Sequence, residues 1–354
     1  MRKIGLDIIR GIAVILVLFR HSEFDNNLLQ HFGWLGVDMF FVLSGYLISN
    51  ILFREYKRDK KIRVKRFLIR RAFKIIPPFY FFMIASISVD FLSGKVDYGF
   101  PQLAAELFYV QSYFPRIWLH TWTLAVEEQF YLLFSISLFY LIRGRILEKR
   151  NVIIGGLILL LMLSFVMRFY VSWPHRMDAE FPLSNTHLRS DGILLGILVS
   201  YLLNFTKITS ELLKRKDLLI GIAILCIIPG FYFEGAGFFM NTFGLTLVNL
   251  GFAIVVLLSL NIDEYVALQS PPYFASFLRI IAFIGVNSYS IYLWHLNVRG
   301  LANAFLFSFD PLLKNTIYIL LAIFIGTTMS YLIEKPSLRI RDYLLNRWAL
   351  FDYK

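Results

Sequence analysis

The chain has 354 residues, of which 58% are hydrophobic and 17% charged; an average soluble domain carries roughly 25% charge. With a mean hydropathy of +0.63, this excludes a disordered chain, a coiled coil and an ordinary soluble enzyme, and indicates a polytopic membrane protein. The net charge of +12 therefore calls for an explanation in topology before nucleic acid is considered.

Crossing a bilayer takes roughly 17–25 mostly apolar residues. Ten segments qualify in chain order: 7–22, 33–53, 75–93, 119–142, 152–171, 187–204, 218–233, 241–260, 280–299 and 315–334. None alternates as a membrane strand would. The expectation is an all-α integral membrane bundle of about ten transmembrane helices, forming one domain over 1–354. The first apolar stretch is followed by Phe19-Arg20-His21 rather than a small-residue cleavage site, so it is expected to be retained. A single cysteine, Cys226, forms neither a disulfide framework nor a cysteine zinc site.

Charge gives the orientation. Segment 54–74 holds eleven Lys/Arg against Glu55 and Asp59. With the N-terminus inside, the inner segments, including 54–74 and the tail 335–354, carry 27 Lys/Arg; the outer connections carry four, Lys95, Arg116, Arg176 and Lys314. Positive charge collects on the cytoplasmic side, so both termini are expected there.

Ionisable groups at membrane depth are costly and usually line a cavity. Arg10 and His21 are eleven residues apart, close to three helical turns, and share one face. Arg10 falls toward the inner side and His21 toward the outer. Asp38, in the second span, falls near the depth of His21. The fourth carries Trp122 and the adjacent acids Glu127 and Glu128, about 100° apart on a helix, which suits a wide cavity. Arg189 and Asp191 open the sixth span, and His295 lies near the outer end of the ninth. On the inner side, Arg70, Arg71 and Lys74 share a helical face and, with Arg10, can hold a polyanion such as a nucleotide phosphate. Glu334-Lys335 reads as a local ion pair, and Pro336 as a helix stop. The layering suits group transfer from an inner phosphate-bearing donor to an outer acceptor, with histidine as base. It equally suits a proton-coupled transporter or flippase.

Several of these stretches are collinear with motifs of one family. They are Gly5-Leu6-Asp7-Ile8-Ile9-Arg10-Gly11 with His21, Gly36 to Tyr46, Arg70-Arg71-Ala72-Phe73-Lys74-Ile75-Ile76-Pro77, Trp122 to Tyr131, Arg189-Ser190-Asp191-Gly192, Ser288 to His295, and Glu334-Lys335-Pro336. Together they resemble the membrane acyltransferase-3 family, whose members O-acylate sugars of surface polysaccharides and lipopolysaccharide. The resemblance implies an O-acyltransferase of the bacterial inner membrane, using acyl-CoA, most simply acetyl-CoA, and no metal. Its partners would be a saccharide or lipid-linked saccharide acceptor and membrane lipids, without nucleic acid. It implies that Arg10, Arg70, Arg71 and Lys74 hold the donor, that His21 acts as base or brief acyl carrier, and that Asp38 orients or charge-stabilises His21. Glu127 or Glu128 would position acceptor or imidazole, and Trp122, Arg189, Asp191 and His295 would meet the acceptor. The family's two arginines separated by two residues fall on Arg71 and Lys74, a departure that loses one planar fork. Because the chain stops at Lys354, the stand-alone type without a soluble esterase-like domain is expected.

Overall fold

A computed structural model describes residues 3–22, 28–174, 183–233, 235, 237–260, 271–306 and 308–349. Every regular element among them is helical. The main helices are α1 (Ile4–Arg20), α2 (Leu35–Asp59), α3 (Val64–Leu92), α4 (Phe100–Leu107), α5 (Trp122–Arg143), α6 (Arg150–Ser172), α7 (Asp191–Phe205), α8 (Lys216–Ile227), α9 (Leu245–Ser259), α10 (Pro272–Val286), α11 (Ser288–Phe305), α12 (Pro311–Met329) and α13 (Lys335–Ala349). Arg2, Arg176, 261–270 and Lys354, which entered the charge count, lie outside the described residues.

Among the described residues, six helical stretches are long and apolar enough to cross a membrane: Gln30–Asp59, Val64–Leu92, Trp122–Arg143, Arg150–Ser172, Met240–Ser259 and Pro311–Arg347. Each contains most of one expected span. The expected spans 7–22, 187–204 and 218–233 fall on the shorter helices α1, α7 and α8, of 17, 15 and 12 residues. The segment 280–299 is not one continuous helix. α10 and α11 meet there at 76°. The break has a local cause: Asn287 Nδ2 donates to the Phe283 carbonyl at 2.8 Å, while the Asn287 amide turns to Ile284 O. A side chain has replaced one rung of the i→i−4 ladder.

Glycines set the closest helix pairs. A Cβ at Gly45 would strike the Ile193 carbonyl, and one at Gly196 the Val42 carbonyl, so α2 and α7 touch backbone to backbone. Gly11 and Gly285 do the same for α1 and α10. Without a hydrophobic drive between helices in lipid, such close packing is what holds them. The apolar core lies around α2, with Val42, Leu43 and Tyr46 packed against Leu195, Val248 and Phe252.

At the basic end the sequence reading changes. Segment 54–74 is mostly not a loop: α2 runs out to Asp59, Lys60 turns the chain at φ 54°, and α3 starts at Val64. Arg63 ties the turn to Asp59 at 3.0 Å and to Glu55 at 3.3 Å. Pro77 and Pro78 sit inside α3. Proline lacks the amide that would bond the carbonyl four residues back; for Pro77 that is Phe73 O, which instead accepts the Ser337 hydroxyl. This docks α13 on α3. Pro336 therefore stops nothing. The chain passes without a break from α12 through a π-turn, Ser330–Glu334, into α13, with Pro336 just after the turn.

Candidate active site

A cavity of about 750 Å³ opens between α1, α2, α3, α5, α11 and α13. Arg10, Arg70, Arg71 and Lys74 all line it, as do Ser44, Glu127, Tyr131 and Tyr289. Arg341 of α13, in the stretch read as a tail, completes the cationic end. The Arg71 guanidinium lies 4.4 Å from the Tyr131 ring centre, and its Nε is buried without a partner. Lys74 is differently placed. Its ammonium meets Glu334 at 3.2 Å, and the other Glu334 oxygen accepts Ser290 at 2.8 Å and Ser330 at 3.3 Å. Glu334 thus pairs across the bundle with Lys74 rather than with its neighbour Lys335, which lies over the Tyr331 ring. The π-turn supplies the extra residue that rotates Glu334 inward.

The two adjacent acids part company. Glu127 lines the cavity and accepts the Ser44 hydroxyl. Glu128 is not among the cavity's lining residues, and its Oε1 is buried without a partner.

The far wall of the cavity is built from Thr123, Leu124 and Tyr292. Tyr292 donates its hydroxyl to the His120 carbonyl at 3.0 Å and lies 2.8 Å from the Thr123 hydroxyl. Directly behind it stands a row of three imidazoles. His120 and His295 have ring centres 5.0 Å apart, and His295 and His21 again 5.0 Å. Carbonyls only accept, so the contacts fix two tautomers. His120 Nε2 donates to Leu293 O at 3.0 Å, and His295 Nδ1 donates to Tyr292 O. The opposite nitrogens, His120 Nδ1 and His295 Nε2, keep buried lone pairs without a partner. His21 caps α1 at the end of the row and is the most exposed of the three. No group of three His, Cys, Asp or Glu suited to a metal occurs among the described residues.

Asp38 does not orient His21. Its Oδ1 accepts from Arg189 at 2.8 Å, and its Oδ2 has no partner. Nor do Arg189 and Asp191 pair with each other, although two residues apart. Asp191 is taken by Arg168, whose side chain is fully buried and also reaches Thr246 at 2.6 Å. The Arg189 guanidinium lies 5.5 Å from the Trp122 ring, and Trp122, Arg189 and Asp191 are not among the cavity's lining residues. His120, Arg168, Tyr292 and Arg341 were not singled out from sequence. For His120 a signal existed, since it opens the same His120–Gln129 stretch that displays the two acids.

The acyltransferase domain family matches residues 3–335. The chain belongs to the acyltransferase-3 family. Relatives include the O-acetyltransferase OatA of Staphylococcus aureus, 30% identical over 327 residues that cover 85% of this chain and 51% of that protein. The peptidoglycan O-acetyltransferase OatA of Listeria monocytogenes is 30% identical over 359 residues, 94% of this chain and 55% of that protein. The chain thus spans about half the length of these curated relatives. No solved structure matches it. Family and apolar helices together make this a multi-pass membrane protein.

Proposed function

We propose that this acyltransferase-3 member is an O-acetyltransferase. It takes an acetyl group from acetyl-CoA on the cytoplasmic side and gives it to a hydroxyl of an extracytoplasmic surface saccharide. The relatives named for peptidoglycan support peptidoglycan glycan as acceptor in preference to lipopolysaccharide. The observation that carries the reading is the cavity itself, cationic at one end and walled at the other by Tyr292, which touches the imidazole row.

A volume of about 750 Å³ is within the usual range for ligand sites, roughly 300–1,000 Å³. Arg71, with its orphaned Nε, Arg70, Arg10 and Arg341 would meet the donor's phosphates; guanidinium forks suit phosphate oxygens. Lys74 contributes less free charge because Glu334 holds it. The thioester arm would run past Glu127 toward Tyr292. In the transfer, the acceptor oxygen forms a bond to the acetyl carbon while the carbon–sulfur bond breaks. The hydroxyl proton passes to a neutral imidazole and from there to the departing thiolate. His21 is the base of this reading, with His295 beside it holding its ring by contact. A thioester is reactive enough that this chain's own groups suffice. Asp38 is bonded to Arg189 and has no part in the transfer in this reading.

The test uses membrane vesicles, labelled acetyl-CoA and peptidoglycan fragments. Acid-stable, base-labile label on the glycan supports the reading. Substrate accumulation inside vesicles without CoA release would instead identify a transporter.

A further inference from the structure

Glu106 lies outside the spanning helices, at the end of α4, and none of its surface reaches solvent. A buried carboxyl costs several kcal/mol unless it is hydrogen-bonded. Here one oxygen does all the bonding. Glu106 Oε1 accepts the Ile117 amide at 3.1 Å, the Trp118 amide at 3.5 Å and the Thr121 hydroxyl at 2.8 Å, while Oε2 has no partner. These three donors belong to the turn that leads into α5, and His120 is part of that turn.

We propose that Glu106 is a positioning residue for His120: by gathering the donors of residues 117–121 on one oxygen, it fixes the turn from which His120 reaches Leu293 O and the His295 ring. The inference rests on the reading that the imidazole row serves acetyl transfer. A second tie acts on the same turn, since Gln111 Nε2 donates to Thr121 O at 3.0 Å. Thr121 is therefore held through both its hydroxyl and its carbonyl, by Glu106 at the end of α4 and Gln111 in the segment that follows. The connection is also held where the Trp118 ring packs on Phe82, 4.9 Å between centres, while Phe114 and Leu119 are exposed. A displaced His120 would also shift Tyr292, which donates to the His120 carbonyl.

Burial pushes the Glu106 carboxyl up to about 7, against the pull of its three donors and of Arg116. Tyr109 is the other titratable group facing it. The sign follows from linkage. A carboxyl raised in the folded state contributes most when protonated, and that contribution is lost as pH rises through about 7. Burial, not the donor bonds, sets this sign, and the buried carboxyl is best tolerated on the acid side.

Glu106→Gln keeps the accepting oxygen and removes the titration; Glu106→Ala removes both. Hydrogen exchange of the 114–123 peptide and steady-state acetyl transfer, on full-length protein in detergent or vesicles, read the two arms. For Glu106→Ala we expect faster exchange and kcat down about 10- to 100-fold, the scale of a misplaced catalytic group, with the donor KM unchanged. For Glu106→Gln we expect near-wild-type kcat at pH 6 and exchange protection that no longer weakens between pH 6 and 8. Wild-type exchange and kcat in Glu106→Ala would overturn the proposal, as would a Gln variant as damaged as the Ala variant. A wild-type protein that transfers no acetyl group would overturn the function reading, while the exchange arm would still report on the clamp.

Discussion

Two groups of arginines sit in the same bundle and do opposite things. Arg168 and Arg189 are closed off. Each is bonded to its own aspartate, Asp191 and Asp38, and the four side chains are almost wholly buried. Arg70 and Arg71 lie instead on the wall of an open cavity, and Arg71 offers an Nε–H that no described residue accepts. Both groups carry the same charge. The difference is whether the chain supplies the anion. Where it does, the charge holds helices together; where it does not, the proposed donor would supply the anion.

That contrast is open to mutation. The largest effect belongs to His21→Ala, which should lower acetyl transfer by about 10²- to 10⁴-fold, the usual contribution of a positioned base, with protein still inserted in the membrane; labelled product per unit of protein measures it. Full activity in this variant would remove His21 from the mechanism. Next is Asp191→Ala, which leaves Arg168 charged and unpaired. Breaking a buried pair this way costs about 3–5 kcal/mol, so detergent-solubilised protein should melt markedly earlier and yield less. Arg71→Ala should separate the two groups most clearly. Its melting temperature should barely move, while donor KM rises about 10-fold or more, since a hydrogen bond to a charged group is worth about 1.5–3 kcal/mol. If Arg71→Ala unfolds the protein and Asp191→Ala does not, the contrast is the wrong way round. Smallest is Ser337→Ala, which leaves the Phe73 carbonyl open beside Pro77. About 1 kcal/mol should appear as a slight loss of thermal stability and a looser α13 by exchange.

The helical bundle was legible because apolar length is a strong signal: six of the ten expected spans fall on helices long enough to cross. The break at Asn287 was not legible, since the sequence stays apolar through it and the cause is one side chain reaching back to Phe283 O. The cationic residues were legible as a set, because 70, 71 and 74 share a helical face by spacing alone. Partners were not. Proximity in sequence suggested Arg189 with Asp191 and Glu334 with Lys335, yet both acids are taken by residues on other helices, Arg168 and Lys74. Ion pairs in a bundle are set by which helices touch. Close approach at Gly45 and Gly196, which brings α7 and its Asp191 against α2 and its Asp38, cannot be read from either segment separately. His120 escaped for a similar reason: its meaning comes from His295, far along the chain.

The account stands on one connection, a passage from the cationic end to the imidazole row. Reconstituted vesicles with labelled acetyl-CoA supplied on one side only and peptidoglycan fragments sealed on the other measure it directly. The prediction is label on the sealed glycan, lost in both His21→Ala and Arg71→Ala. Label appearing only on glycan placed on the same side as the donor would contradict it.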